Sequence, residues 1–248
     1  MNKWLAILTT GVTLILFSTL GLKLYNQIAF QDRSASPPAI QGKLFAAKAL
    51  REFQIFNQQG ELVGNEIFKG KWSLLSYGYL RCPDICPTTL MVKRSVQQLL
   101  AEQDQQLHLV FLSVDPVYDG PKQLQQYLQY FGNITGLTAN QENSDYQNLI
   151  KDLAIKANTI ENNRFTFNDT PDKKNQSEEL AAEPVNHGIH LYLINPMGEL
   201  QAVFFPKLIP TVALPQFNAA QITNDIIISM SFFNTQNNEK PELISKVR

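Results

Sequence analysis

The chain has 248 residues, 44% of them hydrophobic, enough for one packed domain with extensions, or two small domains, without disulfide staples. Its formal net charge of -1 excludes the basic excess of a nucleic-acid-binding surface. Its two cysteines are too few for a disulfide scaffold and too close together for a four-ligand structural zinc site, which leaves a redox pair or a low-coordinate metal site.

Residues 4–22, WLAILTTGVTLILFSTLGL, carry no charge and are bracketed by Lys3 and Lys23. As a helix they would extend roughly 28 Å, close to the thickness of a bilayer core. Residues 1–23 therefore read as an uncleaved membrane anchor. A cleaved signal peptide would have a shorter apolar region followed by an A-x-A-like site. The rest of the chain is then expected outside the cytoplasm, where a cysteine pair can oxidise. Residues 24–42 include QDRSASPPAIQG and read as a flexible tether. The globular domain is expected over 43–235, with a tail at 236–248.

Inside the domain, strand and helix signals alternate. EFQIFN (52–57) alternates apolar and polar residues, and the turn QQGE follows. WSLLSYGY (72–79) reads as a buried strand. Val92, Val96, Leu99 and Leu100 mark a helical face. LHLVFLSV (107–114) is nearly continuous apolar, as central parallel strands are. Asp119-Gly120-Pro121 opens a helix striped with Leu124, Tyr127, Leu128 and Phe131. Ser144-x-x-Gln147 resembles a capping box ahead of Leu149, Ile150, Leu153 and Ala157. Residues 159–184 read as a polar insertion loop. Ile189–Ile194, the turn Asn195–Gly198 and Glu199–Phe204 form a hairpin. Asn218 caps a last helix carrying Ile222, Ile226, Ile227, Met230 and Phe233. This order predicts an α/β domain with a mixed sheet flanked by helices.

The chemistry concentrates in YGYLRCPDICPTTL (77–90), which holds Cys82 and Cys86. The pair lies between a predicted strand and a predicted helix. Pro87 suits the first helical position, which places Cys86 at or near the N-cap, where unpaired amides and the helix dipole favour a thiolate. Pro83 stiffens the loop. The spacing permits either a disulfide or two thiolates on one soft ion such as copper(I), which also accepts imidazole. Of the three histidines, His108 reads as a satisfied structural residue. His187 and His190 point to opposite faces of an extended strand, so at most one meets the thiols. His187, at the strand's mouth, is the better candidate.

YGYLRCPDICP, FLSVDP with its following Asp119, and VNHGIHLYLINPMG, in that order, resemble the Sco/SenC family of membrane-anchored, thioredoxin-like copper proteins. The likeness covers roughly residues 43–235. It implies a thioredoxin-like fold, copper ligation by Cys82, Cys86 and His187, and a role in assembling the dinuclear copper centre of cytochrome c oxidase. The implied partner is the oxidase's copper-binding subunit or another extracytoplasmic copper protein. The implied location is the bacterial inner membrane, with the domain facing the periplasm. Copper(I) is the expected cargo, and copper(II) would recruit further oxygen or nitrogen ligands. The family's usual Asp-His-Ser is Asn186-His187-Gly188 here, which removes a carboxylate and a hydroxyl beside the imidazole. Asp84, Asp115 and His190 are accessory candidates. A metallochaperone need not be an enzyme. The competing reading is a thiol–disulfide oxidoreductase that reduces the acceptor's cysteines through the same loop. A redox or copper sensor and a peroxidase-like thiol enzyme rank below both.

Overall fold

The structure is a computed structural model that describes residues 18–21, 23, 37–140, 142–158, 186–187, 189–208 and 215–245. For Ala157, Asn158, Asn186, His187 and residues 238–245 it describes the backbone alone. The chain divides into a unit ending at Pro37 and a unit beginning at Pro38. In the first, residues 18–21 and 23 are helical, and most of the predicted anchor and tether lies outside the described residues. No helix among the described residues is long and apolar enough to cross a membrane. The predicted insertion at 159–184 also lies outside them.

The second unit is built on a mixed sheet. Its strands are β1 (Gly42–Ala49), β2 (Ile55–Asn57), β3 (Leu62–Val63), β4 (Trp72–Gly78), β5 (Leu107–Ser113), β6 (Ile134–Thr138), β9 (Leu191–Ile194) and β10 (Glu199–Phe204). They lie in the order β1-β10-β9-β4-β5-β6-β2-β3. β7 (Ala157–Asn158) pairs with β8 (Asn186–His187), and β11 (Lys207–Leu208) with β12 (Pro215–Gln216), as separate ribbons. The helices are α1 (Ile85–Ala101), α2 (Pro121–Leu128), α3 (Ser144–Asp152) and α4 (Ala219–Ser245). β4, β5 and β6 are parallel, while β9 and β10 form the predicted antiparallel hairpin.

The period of two in the central strands feeds two cores. Leu74, Leu109, Phe111, Leu191 and Leu193 face one side, against Leu90, Val96 and Leu100 of α1, Leu124 and Leu128 of α2, and Ile222 and Ile226 of α4. Leu75, Tyr77, Val110, Leu112, Tyr192 and Ile194 face the other, against Tyr146 and Leu149 of α3 and Phe53 and Phe68. Both faces are covered, which is why β4 and β5 read as apolar runs in the sequence.

Several elements differ from the sequence reading. β1 and β6 carry no strong strand signal and are set by their neighbours. β1 adds to the β10 edge through a register break between Leu44 and Lys48, where Ala47 takes a φ of 64°. β6 contains Gly136, whose bare Cα admits α2: a Cβ there would lie 2.6 Å from Leu128 Cδ1. The cap of α3 is Asn143, one residue earlier than predicted; its side chain accepts from the amides of Asp145 and Tyr146. α4 begins as predicted, with the Gln221 amide donating to Asn218 Oδ1 at 3.0 Å, but stays helical past Phe233 to Ser245.

The buried face of α1 is Cys86, Thr89, Leu90, Lys93, Val96 and Leu100, so Val96 and Leu100 of the predicted face lie on it while Val92 and Leu99 are half-buried at its margin. Lys93 is fully buried, a placement that a polar–apolar reading assigns to solvent. Its Nζ donates to Ser76 Oγ at 2.8 Å and to the Val110 carbonyl.

Burial holds the Lys93 amine well below the ordinary lysine value of 10.5. The unfolded chain therefore binds a proton that the folded chain lacks, from the lowered value up to 10.5, and stability rises with pH across that window. Lys93→Met keeps the stem and removes this penalty. It is expected to raise the melting temperature at neutral pH by roughly 2–6 °C, for about 1–2 kcal/mol. The gain should shrink as pH approaches the lysine value. Thermal melts across the pH range check this, and a lower melting temperature at neutral pH would contradict it.

Candidate functional site

The sheet gathers the candidate residues at one edge. β4, β5 and β6 end there because they are parallel, and β9 starts there because it runs antiparallel to β4, with Ser76 opposite Leu191. Cys82 lies in the loop after β4, and Asp115 and Asp119 follow β5. His190 and the β8 backbone precede β9 in the chain.

The thiol loop closes as a turn, with the Cys82 amide donating to the Tyr79 carbonyl at 3.2 Å. α1 starts at Ile85 with exposed Asp84 at the cap position, so Cys86 is the second helical residue and Pro87 the third. The predicted start is thus two residues late. Proline is accepted anywhere in a first turn, where its missing N–H would have had no helical partner. The Asp84 side chain makes no cap; its carbonyl accepts from the Thr88 amide at 3.3 Å and from Thr88 Oγ1 at 2.8 Å.

Both cysteines are free thiols, Cys82 half-buried and Cys86 buried. Their side chains are hydrogen-bonded to each other, and this bond first, then burial, pushes the Cys86 thiol up. A backbone hydrogen bond with Tyr79 acts the other way and does not prevail. Burial and the bond with Cys82 thus act against the thiolate stabilisation expected at the helix start, and the Cys86 sulfur packs against the sheet. Gly78 makes room for it: a Cβ at that position would overlap Cys86 Sγ and lie 3.3 Å from Phe111 Cε2.

Asp119 lies behind this loop and is almost fully buried. Its Oδ2 accepts from the Leu80 amide at 3.1 Å and from Ser113 Oγ at 2.8 Å, and its carbonyl accepts from Thr138 Oγ1 at 2.8 Å. One residue so ties the thiol loop to the ends of β5 and β6. The sequence showed Asp119 as a helix opener and as part of the family motif, not as this tie. Burial pushes its carboxyl up to about 6, against the two hydrogen bonds to Oδ2. Asp115 is buried and accepts from Arg81 at 2.6 Å, while the Arg81 guanidinium stacks 3.9 Å from the Tyr118 ring centroid. Asp115 thus braces the loop through Arg81.

The histidines separate. His108 meets Ser73 Oγ at 3.1 Å and Thr135 Oγ1 at 2.8 Å, and burial pushes it down to about 4, so it is the satisfied structural residue expected. His190 precedes β9 rather than lying within it. It is half-buried, with Nδ1 3.5 Å from Tyr77 Oη and its ring edge-on to Tyr192 and Phe205. Burial lowers its pKa. The His187 backbone sits opposite Ala157 in the β7–β8 ribbon, and its side chain lies outside the described residues. Among the described residues no three His, Cys, Asp or Glu side chains form a metal cluster.

A family model described as SCO1/SenC matches residues 41–215. A Stutzerimonas stutzeri protein named for copper binding is 40% identical over 110 residues, 44% of this chain and 53% of that protein. The chain spans about half the length of the first curated relatives it matches. Among solved structures, Arabidopsis thaliana ScoI with copper bound has a TM-score of 0.58 at 20% identity, over 74% of this chain and 99% of that one. BsSco, described as a member of the Sco family of cytochrome c oxidase assembly proteins with a disulfide switch, has a TM-score of 0.52 at 22% identity, over 76% and 97%. These likenesses identify the fold as thioredoxin-like.

Burial holds the Asp119 carboxyl in the folded chain at about 6, above the ordinary aspartate value of 3.8. Its contribution is present in full below the lower value and is lost as pH rises through the higher one. Asp119→Asn keeps an acceptor oxygen for Leu80 and Ser113 and removes the titration. Denaturant melts should show the parent losing stability relative to the variant between about pH 4 and 6. Parallel curves for the two proteins across that window would contradict this assignment.

Proposed function

The chain belongs to the SCO1/SenC family, and from that premise we propose that it is a membrane-anchored copper chaperone that carries copper(I) on Cys82, Cys86 and His187. The observation that carries this reading is the meeting of the two cysteine side chains, reduced and hydrogen-bonded, at the sheet edge where the strand after His187 begins. Two sulfurs and one imidazole suit copper(I), a soft ion content with few ligands. Copper displaces protons from its ligands, so affinity falls as pH drops. The names of relatives support the same cargo and destination: copper binding for one, cytochrome c oxidase assembly for another.

In this reading residues 1–23 anchor the chain in the bacterial inner membrane and residues 24–42 tether the domain in the periplasm. The domain there passes copper to the dinuclear copper site of cytochrome c oxidase. This reading gives His190 no ligand role: its Nδ1 lies 3.5 Å from Tyr77 Oη and its ring packs edge-on to Tyr192 and Phe205. A second reading, thiol–disulfide exchange with the acceptor's cysteines, draws on the same contact between reduced side chains, which is one oxidation away from a disulfide.

Copper(I) titration of the reduced full chain in detergent, against a competing chelator, separates the two. The proposal expects tight one-to-one binding, abolished by Cys82→Ser and weakened at least tenfold by His187→Ala, the loss of one ligand. Equal binding by parent and His187→Ala would favour disulfide exchange.

A further inference from the structure

Lys93 lies outside the thiol loop, on the face of α1 that also carries Cys86, two helical turns further on. A helical side chain leans towards the N-terminus, so Lys93 reaches back towards Cys86. Its Nζ rests on Ser76 Oγ at 2.8 Å, while the Cys86 sulfur rests against Gly78. Ser76 and Gly78 point to one side of β4, two residues apart, which sets amine and sulfur roughly 7–10 Å from each other. A fully buried lysine is ordinarily paired with a carboxylate, yet among the described residues Lys93 forms no ion pair. Its two partners, Ser76 Oγ and the Val110 carbonyl, present acceptor oxygens, which serve an ammonium as well as an amine. The carboxylates of the packed elements are engaged elsewhere: Asp225 of α4 by the Gln41 amide and Gln221, Asp119 by Leu80 and Ser113. His108 of β5 is neutral, with Lys93 among the groups that push it down, and Arg94 and Lys71 are exposed. The phenol of Tyr127 on α2 stays protonated. Among these groups the thiols are the ones that can bring negative charge to Lys93.

We infer that Lys93 balances the charge of the loaded site, its amine taking up a proton when the two thiols become thiolates on copper(I). The inference rests on the copper reading above. Two thiolates and a neutral imidazole on one copper(I) carry one net negative charge. The metal-free pair carries none on Cys86, whose thiol is held protonated by its bond with Cys82 and by burial. Burial likewise holds the metal-free Lys93 amine down, and a negative charge placed beside it acts in the opposite sense. A unit charge at roughly 7–10 Å, with an effective dielectric of about 20, moves a titration by about one to two pH units. On loading, each thiol gives up one proton as its sulfur bonds to copper(I). Between the metal-free and the loaded midpoints of Lys93, one proton is taken up by the amine and one goes to water. Copper keeps its charge, so no oxidant or reductant is required.

The test follows the Lys93 side chain by NMR in the reduced full chain in detergent, with labelled lysine and the signal assigned by its loss in Lys93→Met. The titration midpoint is read for the metal-free, the copper(I)-loaded and the mercury(II)-loaded chain. Mercury(II) on two thiolates is neutral, so it closes the same loop without the charge. Copper(I) should raise the midpoint by about one pH unit or more, and mercury(II) by less than about 0.3. By linkage, the parent should bind copper(I) about tenfold more tightly than Lys93→Met below the metal-free midpoint, and equally well above the loaded one. A midpoint that copper(I) leaves unmoved, or that both metals move alike, overturns the inference while the copper reading stands. So does an affinity ratio that is constant with pH, which is what a purely structural lysine would give. If the parent binds no copper(I), the copper reading falls by itself, and silver(I), of equal charge, takes its place in the titration. A midpoint raised by silver(I) then supports the inference, and an unmoved midpoint or no silver binding overturns it.

Discussion

The buried Asp119 side chain is the tie on which the site depends. Its Oδ2 holds the Leu80 amide and the Ser113 hydroxyl, and its carbonyl holds Thr138. Two strand ends, those of β5 and β6, and the thiol loop are fixed to each other through one residue. It fixes the Leu80 backbone, and Cys82 follows two residues later. The cost is a carboxyl kept out of water, visible in its raised pKa. Arg81 and Asp115 brace the same loop from its outer side.

The thiols themselves are placed by packing. Cys86 enters the core on the face of α1 that also carries Leu90, Lys93, Val96 and Leu100, and Gly78 leaves it space on β4. Helix, strand and loop thus converge so that one sulfur is buried and the other half-exposed. That asymmetry suits a clamp that holds a soft ion on its inner sulfur and is approached from its outer one.

Much of this was legible in the sequence because it rests on strong periodic signals. β4 and β5, buried on both faces, and the β9–β10 hairpin with its Asn195–Gly198 turn carried such signals. So did the start of α2 at Pro121 and the Asn218 cap of α4. β1 and β6 were not legible, because each is completed by the strand it joins. The buried Lys93 was not either, since nothing local tells a core lysine from a solvated one. In the site, the Cys82–Cys86 loop was read correctly as a strand–helix junction, but the upward shift of the Cys86 thiol comes from its bond with Cys82 and from burial, which only the fold supplies. The tie made by Asp119 escaped for the same reason: it lies in long-range neighbours.

The central claim is a copper(I) site of two sulfurs and one imidazole. X-ray absorption of the copper(I)-loaded full chain tests it most directly, beside His187→Ala. The account predicts two sulfur scatterers and one imidazole nitrogen in the parent, with the nitrogen lost in the variant. Two sulfurs without an imidazole in the parent, or an imidazole that persists in His187→Ala, would contradict it.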